Sequence, residues 1–158
     1  MVKNKNALRK HYVQEYTPGQ DEPGNEWLEL AEGITAINDD TEETTEETAY
    51  YNGDGTPEQE VVSVAGAYSV EGHYYAEDPA QALIAGKKYK IGNGRKLWHR
   101  IVSSDGKKEW IGRATVTAIV AGSGEASAYE TFSCNIRFDH IPEENDLTSE
   151  APGGGVEG

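Results

Sequence analysis

The sequence predicts a mainly β protein: an antiparallel β-sandwich or barrel with one short flanking α-helix and flexible termini. Three observations carry this reading. Apolar and polar residues alternate with period two through residues 61–76, 96–103, 109–121 and 128–138. The 18 glycines and nine tyrosines among 158 residues suit strands and turns better than a helical bundle. Helical spacing accompanied by both a start and a stop signal occurs in residues 78–86 alone.

Residues 1–24 contain Pro18, Gly19, Pro23 and Gly24 and show no periodicity, so they are expected to form a flexible arm. Residues 27–37 alternate, with Leu28, Leu30, Ile34 and Ala36 beside polar neighbours, and Gly33 breaks the phase. They predict one strand with a bulge. Residues 38–60 hold an acidic run and the turn sequence Asn52-Gly53-Asp54-Gly55. The threonines and tyrosines there have strand propensity, so the insertion is either an extended hairpin or a functional loop.

Residues 61–76 give the clearest strand, with Val62, Val64, Tyr68 and Val70 on one parity. It is long enough to serve two sheets or one strongly bent sheet, with Gly66 and Gly72 as bending points. Asp78 then caps a short helix, Pro79 fits its first position, Ala80, Leu83 and Ile84 share a face, and Gly86 ends it. Three more strands follow as a meander. In residues 96–103, Leu97, His99 and Ile101 oppose Trp98, Arg100 and Val102. In residues 109–121, Ala114, Val116, Ala118 and Val120 share a face. In residues 128–138, Phe132, Cys134, Ile136 and Phe138 do. Turns at Asp105-Gly106 and Gly122-Ser123-Gly124 join them. Residues 142–158 are acidic and glycine-rich, as expected of a disordered tail. The domain organisation is thus an arm (1–24), a β domain (25–141) carrying the insertion 38–60, and a tail (142–158).

The net charge of −14 is segregated. Residues 1–10 carry four bases and no acid, and residues 11–86 carry 18 acids and no Lys or Arg. Residues 87–113 reverse the sign, with nine bases against two acids. One surface of the molecule is therefore acidic and another basic, a pattern that lets two copies attract each other. Broad nucleic-acid binding is disfavoured, because phosphate contacts need clustered bases without a larger acidic surplus. No apolar run approaches the roughly 20 residues that span a bilayer, so no membrane partner is expected. The lone Cys134 rules out an internal disulfide and fits a reducing compartment.

No constellation of residues points to catalysis. His11 and His140 fall in or near the ends, and His73 and His99 lie in different strands. The acidic run from Asp39 to Glu47 lacks the glycine spacing of a calcium loop. Gly92 and Gly94 follow the helix rather than precede one, unlike a phosphate loop. Cys134, inside an alternating strand, reads as a buried thiol, and Trp27, Trp98 and Trp110 read as core or interface residues. No enzyme activity, metal or cofactor is expected.

The order of these features resembles the major tail tube proteins of long-tailed bacteriophages. The resemblance rests on the first strand from Trp27, the acidic stretch ending near Tyr50-Tyr51-Asn52-Gly53-Asp54-Gly55, the long strand running into Asp78-Pro79-Ala80-Gln81, and the final strand pair and last strand. It covers residues 27–141. It implies a structural subunit assembling into stacked, hexameric rings around a channel for DNA passage. Implied partners are further copies of itself, the tape measure protein, the tail terminator and the distal tail initiator, with DNA only in transit. The implied location is the virion tail, after assembly in the host cytoplasm. By position, the insertion 38–60, together with the terminal arms, would contact the neighbouring ring or subunit. Candidate contact residues are Asp39, Asp40, Glu42, Glu43, Glu46 and Glu47 on the acidic side and Lys87, Lys88, Arg95 and Lys96 on the basic side. Rival readings are a carbohydrate-binding β-sandwich, motivated by the tryptophans and tyrosines, and another phage ring such as a tail terminator.

Overall fold

Gly66 divides the longest predicted strand between two sheets. The computed structural model describes residues 1–147. In chain order its strands are β1 (Lys10–Glu15), β2 (Leu28–Glu29), β3 (Ile34–Asp39), β4 (Glu42–Thr48), β5 (Glu58–Ala65) and β6 (Ala67–His73). Helix α1 (Pro79–Ala85) follows, then β7 (Lys96–Val102), β8 (Lys108–Ala121), β9 (Thr131–Phe138) and β10 (Glu143–Asp146). The main sheet has the order β2-β1-β7-β8-β9-β6-β3, with β10 added on β8, and every pairing is antiparallel. Strands β4 and β5 form a separate two-stranded hairpin.

The main sheet must curl. Strands β2 and β3 sit at its opposite ends, yet only residues 30–33 separate them in sequence. That link spans at most about 18 Å when fully extended. Seven flat strands would hold the two edges about 29 Å apart. The sheet therefore rolls into a half-barrel, leaving a cleft of about 310 Å³ that His11, Leu30, Ile34 and Ile37 help to line. Arg9 reaches across it, donating through Nη2 to the Ile37 carbonyl at 3.4 Å.

The inside of the curl is the core. It takes Phe132, Cys134, Ile136 and Phe138 from β9, Leu97 and Ile101 from β7, Ala114 and Val116 from β8, Val70 from β6 and Val13 from β1. Ala80 and Ile84 bring α1 against β1, β2 and β8. Asp78 caps the helix by accepting the Gln81 N–H at 3.1 Å, as the Asp-Pro pair predicts. A helix this short has little stability of its own and is held by this docking. The β7–β8–β9 meander and the inward parity of β9 also match expectation.

Four boundaries differ from the sequence reading. Residues 10–15, expected within a flexible arm, form β1 between β2 and β7, with His11 and Val13 buried. The inward pair His-x-Val conceals the alternation because histidine reads as polar. Residues 27–37 make two strands rather than one. Gly33 turns the chain between them at φ +76°, and its carbonyl lies 2.2 Å from where a Cβ on Gly72 would sit. That approach requires glycine at position 72, while Gly33 is required by its positive φ and by Tyr75 and the His73 carbonyl, which a Cβ there would meet at 2.4 and 2.7 Å. In β8 the alternation breaks at Ala118, which adopts φ 53°. The bulge shifts the register on β9 between Thr117 and Val120, so Ile119 is buried in place of Val120. Finally, residues 143–146 of the expected tail pair with β8; residues 148–158 lie outside the described part of the chain.

Candidate assembly surface

The acidic insertion is a hairpin, and it touches almost nothing else. It leaves the main sheet at a fixed root. The Asp40 N–H donates to the Ala67 carbonyl at 2.8 Å, Asp39 Oδ1 accepts the Thr41 N–H at 2.9 Å, and the Phe138 N–H donates to the Gly66 carbonyl at 2.8 Å. Beyond this root every residue of β4 is exposed, and so is β5 as far as Val64. An exposed ion pair from Glu42 to Arg137, 3.8 Å long, adds little. At seven residues β4 reaches about 20 Å from the body.

The pairing register gives the hairpin two unlike faces. Glu43 opposes Val64, Thr45 opposes Val61 and Glu47 opposes Gln59, with a bulge that takes up Val62. Opposed residues point the same way, so valines and two flanking carboxylates share one face. The other face carries Glu42, Thr44, Glu46 and Thr48 opposite Ala65, Ser63, Glu60 and Glu58. Sequence parity placed Val62 and Val64 with the core residues Tyr68 and Val70. The crossover at Gly66 puts them on a different sheet, and Val61, Val62 and Val64 are 55%, 49% and 39% exposed. This exposed valine face has no counterpart among the contact candidates that the sequence offers.

The acidic candidates Asp39, Asp40, Glu42, Glu43, Glu46 and Glu47 thus lie at the root of the hairpin and along its first strand. The four basic candidates do not make a matching free patch. Lys87 is buried and pairs with Glu15 of its own chain. Lys88 donates to the Ile119 carbonyl at 3.0 Å. Arg95 donates through Nε to the Lys90 carbonyl at 2.8 Å and through Nη1 to the Val116 carbonyl at 3.2 Å. Lys96 donates to Thr115 Oγ1 at 2.8 Å and to Asp139 Oδ2 at 2.9 Å. The basic zone therefore braces the loop after α1 against the sheet. Contacts like these need the tertiary fold and leave no periodic trace in sequence.

Cys134 is buried, and burial pushes its thiol up to about 12. His11 is not in a loose end: its Nδ1 lies 3.2 Å from His99 Nε2. Arg9 Nε donates to His11 Nε2 at 3.1 Å, so the neutral His11 carries its proton on Nδ1 and donates it to His99. Burial, then the Arg9 charge, lowers His11 to about 4, and burial followed by His11 lowers His99 further below its ordinary value. Among the described residues, no three His, Cys, Asp or Glu side chains converge as metal ligands would.

No family model and no curated protein matches the sequence. Solved structures do match the fold. The tail of an empty GTA particle, described in C6 symmetry, aligns at TM-score 0.66 and 14% identity, over 91% of this chain and 99% of that one. The SPP1 tail tube aligns at TM-score 0.63 and 14% identity, over 91% and 80%. The tube-terminating cap of the anti-feeding prophage aligns at TM-score 0.55 and 13% identity, over 92% and 93%. What this chain shares with those tubes and that cap is the tail-tube fold.

Proposed function

We propose that this chain is a structural subunit of a phage-type tail tube. Copies join into rings of six, and the rings stack around a channel through which DNA passes. The observation that carries the reading is the β4–β5 hairpin. It projects from a tail-tube fold with an apolar face that is exposed among the described residues. An isolated two-stranded hairpin is marginal in water, and a partner that buries the valines supplies what it lacks. The order six follows the symmetry given for the GTA tail. The net charge of −14 suits a channel that DNA crosses without sticking. The tape measure, tail terminator and distal initiator proteins are the further partners of such a subunit, and the virion tail is its location, reached from the host cytoplasm.

Purified protein examined by negative-stain electron microscopy and light scattering at rising concentration tests this. Hollow tubes of uniform width are expected, and a variant with residues 42–65 replaced by a short glycine linker should stay folded and monomeric. A strict monomer at every concentration counts against self-assembly. A second reading, a ring that caps a tube, is favoured by the likeness to the anti-feeding prophage cap. It predicts single rings that do not lengthen.

A further inference from the structure

Resting on that reading, we propose which surface receives the hairpin: the valine face of one copy docks on the loop after α1, residues 88–91, of a second copy. That loop reads Lys-Tyr-Lys-Ile, and Tyr89 and Ile91 are 91% and 89% exposed. Two large apolar side chains one residue apart thus offer a paired anchor that a partner could cover. The charges match the hairpin. Glu43 and Glu47 flank the valines on one surface, and Lys90 follows Tyr89 on the other, while Lys88 is engaged with the Ile119 carbonyl. Lys90 has no ion-pair partner among the described residues.

The loop is also rigid. Arg95 holds the carbonyls of both Lys88 and Lys90 and is itself tied to Val116. The Lys90 N–H donates to the Lys87 carbonyl at 3.1 Å. Gly94 sits so close beneath Lys90 that an added Cβ would fall 2.8 Å from the Lys90 Cβ. A preorganised aromatic residue loses little entropy on binding and makes a good interface anchor. Lys87 and Arg95 become positioning residues of this knob rather than contacts themselves.

Two other exposed apolar surfaces compete for the hairpin. Tyr75 and Tyr129 form an open shelf beside His73 and Glu130, but Glu130 and the nearby Glu71 would face Glu43 and Glu47 with like charge. Leu8 lies near Lys3 and Lys5. Residues 1–5, however, are held to the body by little more than the Asn4 contact with Ser104, so docking there would first have to order them.

Cysteine cross-linking separates these outcomes, and the buried Cys134 does not interfere. Val62→Cys protein is mixed with Ile91→Cys, Leu8→Cys or Tyr129→Cys protein under assembly conditions and then oxidised. A disulfide-linked species of twice the subunit mass is expected chiefly with Ile91→Cys. Tubes that form while Val62→Cys links to Leu8→Cys or Tyr129→Cys, or to none of them, overturn the docking site and leave the tube reading standing. Wild-type protein that does not assemble, together with cysteine variants that do not cross-link, overturns both. As an independent arm, Lys90→Glu should raise the concentration needed for assembly at least tenfold, and mixing with Glu47→Lys should restore it. Assembly of Lys90→Glu at the wild-type concentration also overturns the site.

Discussion

Gln81 accepts the backbone N–H of Tyr75 through Oε1 at 2.7 Å. Its Nε2 donates to the carbonyls of Glu32 at 2.8 Å and His73 at 3.0 Å. One buried amide thus ties the first turn of α1 to the end of β6 and to the turn that carries the chain from one sheet edge to the other. Removing it leaves three backbone groups without this partner, and each orphan costs about 1–3 kcal/mol. Gln81→Leu should therefore lose at least about 3 kcal/mol, lowering the melting temperature by roughly 6–12 °C for a domain of this size. Thermal denaturation followed by circular dichroism measures it. A loss under 1 kcal/mol would mean that water replaces the amide.

The same residue shows what the sequence reveals. Gln81 stands in the Asp-Pro-Ala-Gln junction that anchors the resemblance to tail tubes, and the helix start is plain there because capping is local chemistry. The meander was legible for the same reason, since β9 keeps strict alternation from Phe132 to Phe138. Strand β1 was hidden because its inward residues are His11 and Val13, and only a buried histidine pair explains a histidine facing the core. In sequence, Val62 and Val64 share the parity of Tyr68 and Val70, but the chain changes sheets at Gly66 and that shared parity no longer means a shared face. Charge segregation along the chain says nothing about which bases their own fold engages: Lys87 pairs with Glu15, and Arg95 holds backbone carbonyls.

The buried histidine pair makes stability fall with acid. Both rings have pKa values depressed by burial, so the unfolded chain takes up protons near pH 6.5 that the folded chain refuses. Stability is full above that pH. It declines as pH drops toward about 4, where His11 is protonated in the folded state. Histidine ring resonances recorded by NMR from pH 8 to 5 should leave His11 and His99 unshifted. Titration of His11 near pH 6.5 would refute the neutral pair.

Asp139 titrates in a lower window. Burial acts to raise its pKa, but hydrogen bonds from Thr115, Lys96 and Arg113 outweigh it and hold the carboxyl below its ordinary value. Its contribution is present above about 3.8, the ordinary value, and is lost as pH falls through the folded value. Asp139→Asn keeps the shape while leaving Lys96 and Arg113 without their carboxylate. A loss of about 1–3 kcal/mol at pH 7 is expected. In urea titrations the wild-type and variant curves should converge below pH 3.8; a constant gap down to pH 2 would show that shape rather than charge matters.

The hairpin's second face carries a built-in conflict. Glu46 stands directly opposite Glu60 across β4 and β5, with Glu42 and Glu58 on the same side. Like charges at opposed positions are unfavourable by about 0.2–1 kcal/mol, in a hairpin that the main sheet holds chiefly at its root. Glu60→Thr places a residue of high strand propensity opposite Glu46 and removes the repulsion. In the unassembled subunit, backbone amides of residues 43–47 and 59–63 should then exchange with solvent more slowly by up to about fivefold, the equivalent of 1 kcal/mol. Amides of the main sheet should not change. If exchange in the hairpin is unaltered, the free hairpin is held by its root at Asp40 and Gly66 rather than limited by its charges, and docking of the valine face has no ordering cost to overcome.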